Sequence, residues 1–458
     1  MPSTTASPLT YARDHRAEFV AQLKDWLTIP SVSRLDAHQP DMTRAADWLA
    51  NHMRDIGLEN VAVLPTEGFP VVYGDFLHAD GAPTVLVYGH YDVQPVKPDE
   101  WASPPFEPTE RGGKLYARGS ADDKGQTFIH LKAAEATLKT AGKLPLNVKF
   151  LVEGEEEVGS RHLAPFLTQE AERLKADTVV ISDTSWVGPG VPTINVGLRG
   201  GCTMDVEVHG PANDLHSGLY GGAVQNPIHA AAQIIARLHD AKGRVTVPGF
   251  YDRVRPLSRA ERSQTRRIPI TEADILKETG APRLWGETGY SALERMGARP
   301  TLDILKFMAG GDAAAITSTA RFRLACRLVP DQDPDDIYQR VHDYVMSLAP
   351  DTVRLTITRQ SKGSPGVVIP QDSPALKAAQ TALRQTFGVK PVFARSGGGI
   401  PVVLLFQRLL GLPSLLMGFG LPDDGLHGPN EKLDLAQFHG GVETSIRFMQ
   451  AFGQQGTP

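Results

Sequence analysis

The chain has 458 residues, with 47 Lys and Arg against 52 Asp and Glu and a formal charge of −5. That length exceeds one compact core and predicts two domains, while so small a charge gives no electrostatic case for nucleic acid or an acidic membrane surface. The only cysteines, Cys202 and Cys326, exclude a disulfide framework, and the opening M-P-S-T-T-A-S-P lacks a basic-then-apolar signal, so a soluble cytoplasmic protein is expected.

In chain order, Phe19, Leu23 and Trp26 or Leu27 recur at helical spacing until Pro30, and Ala46, Leu49, Met53 and Ile56 mark a second helix closed by Gly57. Strands follow at Val71 to Phe76 and Thr84 to Tyr88, the latter apolar enough to lie centrally in a sheet. A helix with the stripe Phe128, Leu131, Ala134 and Leu138 opens after A-R-G-S-A-D-D-K-G, and strands Val148 to Val152 and Thr178 to Ile181 end in polar residues. This is the α/β pattern, in which function gathers at strand ends.

From about Arg199 the texture changes. Met204, Val206 and Val208, then Phe322, Leu324, Cys326 and Leu328, alternate as in a sheet with one wet face. Helices at 227–238 and 334–348 and the run Val353, Leu355, Ile357 complete a separate two-layer α+β unit. Residues 245–315 carry no pattern that this reading resolves. Helix 374–386, strand Ser414 to Met417 and helix 435–452 then rejoin the first domain. The expected domains are 1–198 and 362–458 around an inserted 199–361.

The stretch L-V-E-G-E-E-E-V-G-S (151–160) places four carboxylates at a strand end with no Lys or Arg beside them. Such crowding requires a cation from elsewhere, or else a solvated acidic loop. Other strand ends and glycine turns add His90 and Asp92, Asp122 and Asp123, Asp183, and His427. Mixed imidazole and carboxylate ligation favours zinc, manganese or cobalt over calcium or magnesium. No serine or cysteine nucleophile motif is present.

Y-G-H-Y-D-V-Q-P, A-R-G-S-A-D-D-K-G, E-G-E-E-E-V-G-S, I-S-D, D-L-H-S-G-L-Y-G-G and L-H-G-P-N-E-K, in that order, resemble the co-catalytic dinuclear metallopeptidases. That family includes carnosinase-type dipeptidases, glutamate-releasing carboxypeptidases, aminoacylases and succinyl-diaminopimelate desuccinylase; H-S-G-L-Y-G-G is most similar to cytosolic non-specific dipeptidases. The resemblance implies a zinc-peptidase-like catalytic domain, with a mixed central sheet flanked by helices, and an inserted dimerisation or lid domain hinged near 198 and 362. It implies two divalent ions per subunit, zinc first, with manganese or cobalt as alternatives. Asp122 would bridge them, His90 and Asp183 would complete one site, and Glu157 and His427 the other. Asp92 would hold His90, the Asp122–Asp123 peptide would be cis, and Glu156 would be the general base that takes a proton as metal-bridging hydroxide attacks the amide carbonyl. Glu155 is read as a spare surface carboxylate.

By the same resemblance His216 would reach the oxyanion across a homodimer interface, Arg327 would grip the substrate carboxylate, and the 394–400 loop with Gly398 and Gly399 would contact the substrate's C-terminal end. Read locally, His216 is instead a loop residue capping a turn with Asn213 or Asp214, and Arg327 a strand-surface charge. Two departures bear on dipeptide preference: Gly399 stands where those dipeptidases carry serine, and a threonine is replaced near Ala314. The expected activity is hydrolysis of dipeptides or short peptides with a free carboxylate. An N-acyl-amino-acid deacylase is the alternative, and a non-catalytic binding protein of the same fold the third.

Overall fold

The computed structural model describes residues 7–311 and 315–455. They form two compact units: residues 7–196, 369–393 and 402–455 in the first, and 197–311, 315–368 and 394–401 in the second.

The first unit is built on a mixed sheet whose strands run in the order Glu59–Leu64, Val71–Phe76, Asn147–Glu153, Thr84–His90, Thr178–Ile181, Ser414–Leu416 and Thr193–Leu198. The middle four of these are parallel, and the strands flanking them are antiparallel to their neighbours. Thr84–His90 therefore sits between two parallel partners and is buried along nearly its whole length, as its unbroken apolar run requires. Its last residue, His90, ends at the carboxyl edge of the sheet.

Helix Lys124–Ala141 packs against that strand and is buried from Lys124 to Thr137, so even Lys124 and Lys132 are internal. Lys124 Nζ donates to the carbonyls of Trp26 (3.3 Å) and Ile29 (2.8 Å), and Lys132 pairs with Glu135 at 2.5 Å. Gly89 permits the close approach of this helix. A Cβ there would lie 1.8 Å from Thr127 Oγ1 and 2.8 Å from Asp123 Oδ2. Among the described residues no helix is long and apolar enough to cross a membrane.

The second unit holds an antiparallel sheet in the order Thr301–Ala309, Thr319–Leu328, Gly200–His209, Arg354–Arg359. Along Gly200–His209 buried and half-buried residues alternate. The buried face joins helices Pro227–Ala236 and Pro334–Leu348 in one apolar cluster. On the other face charges pair across strands, with Arg323 bidentate to Asp205 (2.6 and 2.8 Å) and Arg321 donating to Glu207 (2.8 Å). Cys202 and Cys326 are opposite each other in adjacent strands, both buried as free thiols. Within 245–311 lie three short helices, Arg259–Thr265, Glu272–Thr279 and Ala292–Ala298, each opened by a reciprocal capping box.

Candidate active site

Five side chains from separate strand ends and turns of the first unit converge at the carboxyl edge of its sheet. Ligand-type atoms of His90, Asp122 and Asp183 lie within 4.8 Å of one another, as do those of Asp122, Glu157 and His427, so the two groups share Asp122. His90 Nε2 is 3.1 Å from one Asp122 oxygen, and His427 Nε2 is 3.0 Å from the other. His427 is also 3.4 Å from Glu157, and it takes a left-handed backbone (φ 61°) to point inward from the 425–428 turn.

Asp92 holds this cluster together from behind. It faces the Nδ1 side of His90 through its backbone carbonyl (3.0 Å) and its carboxylate (3.3 Å). Its carboxylate also accepts from the N–H groups of Glu156 (3.2 Å) and Glu157 (3.1 Å) and from Ser33 Oγ (2.6 Å). One buried carboxylate thus ties the histidine strand to the acidic turn. Gln94 donates to Glu157 Oε2 at 2.6 Å, and Arg34 to the Glu157 carbonyl at 3.0 Å.

Glu431 supports this cluster and was missed by sequence reasoning. It is fully buried, and it accepts from the backbone N–H of Gly119 (2.9 Å), Ala121 (2.9 Å) and Asp122 (3.0 Å) while pairing with Arg118 at 2.6 Å. The loop that presents Asp122 is therefore hung on a single carboxylate, next to an Asp122–Asp123 peptide that is cis. The available signal is the acid of L-H-G-P-N-E-K, four residues after His427. A second correction concerns Glu155. It is buried rather than a surface carboxylate, and His162 Nδ1 lies 2.8 and 3.0 Å from its two oxygens.

The electrostatics call for a cation. Burial first, then the neighbouring Asp122, pushes the Glu157 carboxyl up to about 8 and holds Asp183 well above the usual carboxylate range. Burial likewise raises Glu156 to about 7, with Asp122, Asp92 and Glu153 adding repulsion. Asp122 alone ends below its ordinary value, because hydrogen bonds from His427 and His90 outweigh the burial that would raise it. His427 rises to about 9, chiefly through its bond to Asp122. A borderline divalent ion suits such a donor set of imidazoles and carboxylates, and it supplies the positive charge that no nearby Lys provides.

The other expected residues lie in the second unit. His216 is exposed on the short ribbon Leu215–His216, paired with Ala315–Ile316, and its Nδ1 accepts from the Gly218 N–H at 3.1 Å. The turn-capping alternative thus describes its own contact, whereas Asp214 accepts from Ser318 N at 2.6 Å. Arg327 is exposed near the end of strand Thr319–Leu328. Arg199 Nε donates to the carbonyl of Gly397 at 3.2 Å, fixing the glycine loop, and a Cβ on Gly399 would meet the Arg199 carbonyl at 2.7 Å. A serine at Gly399 would require the backbone to shift, so the departure noted in the sequence is built into the loop. Ala314 lies outside the described residues.

The model for Peptidase family M20/M25/M40 matches residues 86–451. The chain is 32% identical to the Cys-Gly metallodipeptidase dug1 of Schizosaccharomyces pombe over 446 residues, covering 93% of this chain and 94% of the relative. It superposes on human carnosine dipeptidase 1 with a TM-score of 0.86 at 27% identity, covering 99% of both chains. For the metallo-carboxypeptidase Sso-CP2 of Sulfolobus solfataricus the TM-score is 0.83 at 29% identity, over 95% of this chain and 99% of the other.

Two outcomes follow. Glu431→Gln leaves Arg118 buried without its counter-charge and should lower stability by about 3–5 kcal/mol, read as a shift of the urea midpoint. In chelator-treated protein, Glu157, Asp183, Glu156 and His427 all bind protons more tightly folded than unfolded. Their stabilisation is therefore complete at low pH and is lost as pH climbs, through about 7 for Glu156, 8 for Glu157 and 9 for His427, with Asp183 acting in the same direction. The melting temperature of the chelated form should fall across that interval, and excess Zn²⁺ should flatten the slope.

Proposed function

With the chain belonging to peptidase family M20/M25/M40 and being a metal-dependent peptidase of that family as premise, we propose that it hydrolyses dipeptides or short peptides with a free C-terminal carboxylate, using two divalent ions. The observation that carries the reading is the pair of three-residue ligand groups sharing Asp122, with Glu156 beside them. His90, Asp122 and Asp183 would hold one ion, and Asp122, Glu157 and His427 the other. Zinc is the first candidate, with manganese or cobalt next. When bound, the ions polarise the scissile carbonyl and acidify water.

Everything else is done by the chain. Glu156, with its pKa lifted to about 7, accepts the proton of the attacking water and returns it to the amine that leaves. Asp92 is a positioning residue, keeping His90 in one orientation and fixing the turn that carries Glu156 and Glu157. Arg327 takes the substrate carboxylate as a charge-assisted pair, and the backbone around Gly398 and Gly399 lies against the same end of the substrate. The dug1 and carnosine dipeptidase relatives, whose names specify dipeptide substrates, favour dipeptides over N-acyl amino acids. A cytoplasmic setting fits two cysteines that face each other as free thiols.

The 199–361 unit is the dimerisation and lid domain in this reading. Strand Thr301–Ala309 is an edge of its sheet and exposes Leu305, Phe307 and Met308, an apolar edge suited to a second copy. His216 then completes the partner's site by stabilising the oxyanion.

Glu156→Ala should retain metal, measured by elemental analysis, while turnover on a dipeptide panel falls roughly a hundred- to ten-thousand-fold; unchanged turnover removes Glu156 as the base. The same panel extended to N-acyl amino acids decides between peptidase and deacylase. Light scattering should give a dimer, and the double substitution Leu305→Asp, Phe307→Asp should give a folded monomer with little activity; a fully active monomer would sink the role given to His216.

A further inference from the structure

The 245–303 segment, which the sequence left unread, walls a cavity of about 260 Å³ wholly within the second unit. Ligand pockets for drug-sized molecules run to about 300–1,000 Å³, so this one lies just below that range. Its lining is mostly apolar, with Ile275, Leu284, Trp285, Ala292 and Met296 among the walls. Trp285 and Met296 are large apolar side chains left at least half exposed, although Trp285 is braced edge-on against His239 with centroids 5.2 Å apart.

One pair of charged groups in the cavity wall is internally compensated. Glu287 and Arg299 form a buried bidentate pair at 2.8 Å for both bonds, and Arg299 is further covered by Tyr290 at 4.2 Å. Asp303 accepts from Thr301 Oγ1 at 3.0 Å. Arg199 spends its donors on carbonyls, at 3.2 Å to Gly397 and 3.4 Å each to Arg295 and Arg299. An occupant therefore meets mostly apolar walls in which Glu287 and Arg299 compensate each other, while Arg199, Arg295 and Asp303 keep their charge among the lining residues.

Two connections join this cavity to the residues assigned to the substrate's carboxyl end. Thr301, in the cavity wall, is directly opposite Arg327 in the antiparallel pair, so the two side chains stand on the same face of the sheet. Arg199, also in the wall, holds the glycine loop through Gly397. Arg327 therefore stands one strand away from the cavity wall at Thr301, within reach of a substrate residue whose carboxylate it would hold.

We propose that this cavity is the specificity subsite for the side chain of the substrate's carboxyl-terminal residue, and that it selects large apolar side chains. The proposal rests on the peptidase reading above, specifically on Arg327 as the carboxylate anchor. The metal-loaded full-length protein is assayed on Ala-Gly, Ala-Ala, Ala-Leu and Ala-Phe, and in parallel on N-acetyl-Gly and N-acetyl-Leu, which present the same carboxyl-end residues to the same anchor. The wild type should favour Leu over Gly by roughly tenfold or more in kcat/KM. Trp285→Ala should lower that ratio severalfold, and Met296→Asp should lower it and raise Ala-Arg relative to Ala-Leu. Each readout is a ratio between substrates within one variant, so a general loss of folded enzyme cancels. No preference for Leu in the wild type, or ratios unmoved by both substitutions, would overturn the subsite. Cleavage of the N-acetyl series alone would overturn the peptidase reading instead, and the Leu-to-Gly ratio in that series would still decide the subsite.

Discussion

The interaction on which the first unit depends is the repulsion among carboxylates gathered where the central strands end. Asp122, Glu156, Glu157 and Asp183 are brought together with two imidazoles and without a lysine close enough to neutralise them. A protein that merely needed a stable core would not assemble such a group, because each buried charge costs several kcal/mol unless it is matched. The surrounding architecture keeps these groups from relaxing apart. The parallel strands fix where His90 and Asp183 emerge, and helix Lys124–Ala141, buried over most of its length, fixes Asp122 and Asp123 at its start.

Holding repelling groups in place needs partners that do not themselves compete for the cation. Glu431 and Asp92 fill that role in the same way: both are buried carboxylates saturated by backbone N–H groups of the segments that carry ligand-type residues. Accepting several N–H bonds leaves little lone-pair capacity free, so each acts as a structural strut beside the cation site. Arg118 compensates Glu431, and Ser33 adds a third donor to Asp92. The same bonds that satisfy these loops therefore also orient the ligand-type side chains they carry.

Much of this was legible in the sequence, for a physical reason. Thr84 to Tyr88 and Val148 to Val152 are unbroken apolar runs because both faces of the sheet are covered, and polar residues directly after such runs must lie at the sheet edge. Glu431 was not legible by the same logic, because its partners lie more than 300 residues earlier and its work is done through backbone atoms. Glu155 was misread because a run of acids looks solvated, whereas its partner His162 comes seven residues later. In the 245–311 segment the helix starts were in fact written as S-R-A-E, T-E-A-D and S-A-L-E. Those helices are too short for an apolar period to emerge. Strand Thr301–Ala309 was hidden for another reason: a register shift between Ile304 and Lys306 breaks the alternation, and the strand leaves apolar side chains in solvent.

The acidic turn itself shows how three consecutive glutamates come to have three different surroundings. Glu156–Val158 is a single 3-10 turn, which rotates successive side chains by about 120°. Glu155, at its start, is turned to His162 and the protein interior. Glu157 is turned toward Gln94 and His427. Glu156 falls between them, its N–H taken by Asp92 and its carboxyl left beside the cluster with no hydrogen-bonding lysine or arginine to fix it as an anion. An α-helical turn would bring neighbouring acids into different relations, and an extended segment would put Glu155 and Glu157 on the same side. The tight turn whose N–H groups donate to Asp92 is what gives three adjacent glutamates three different surroundings.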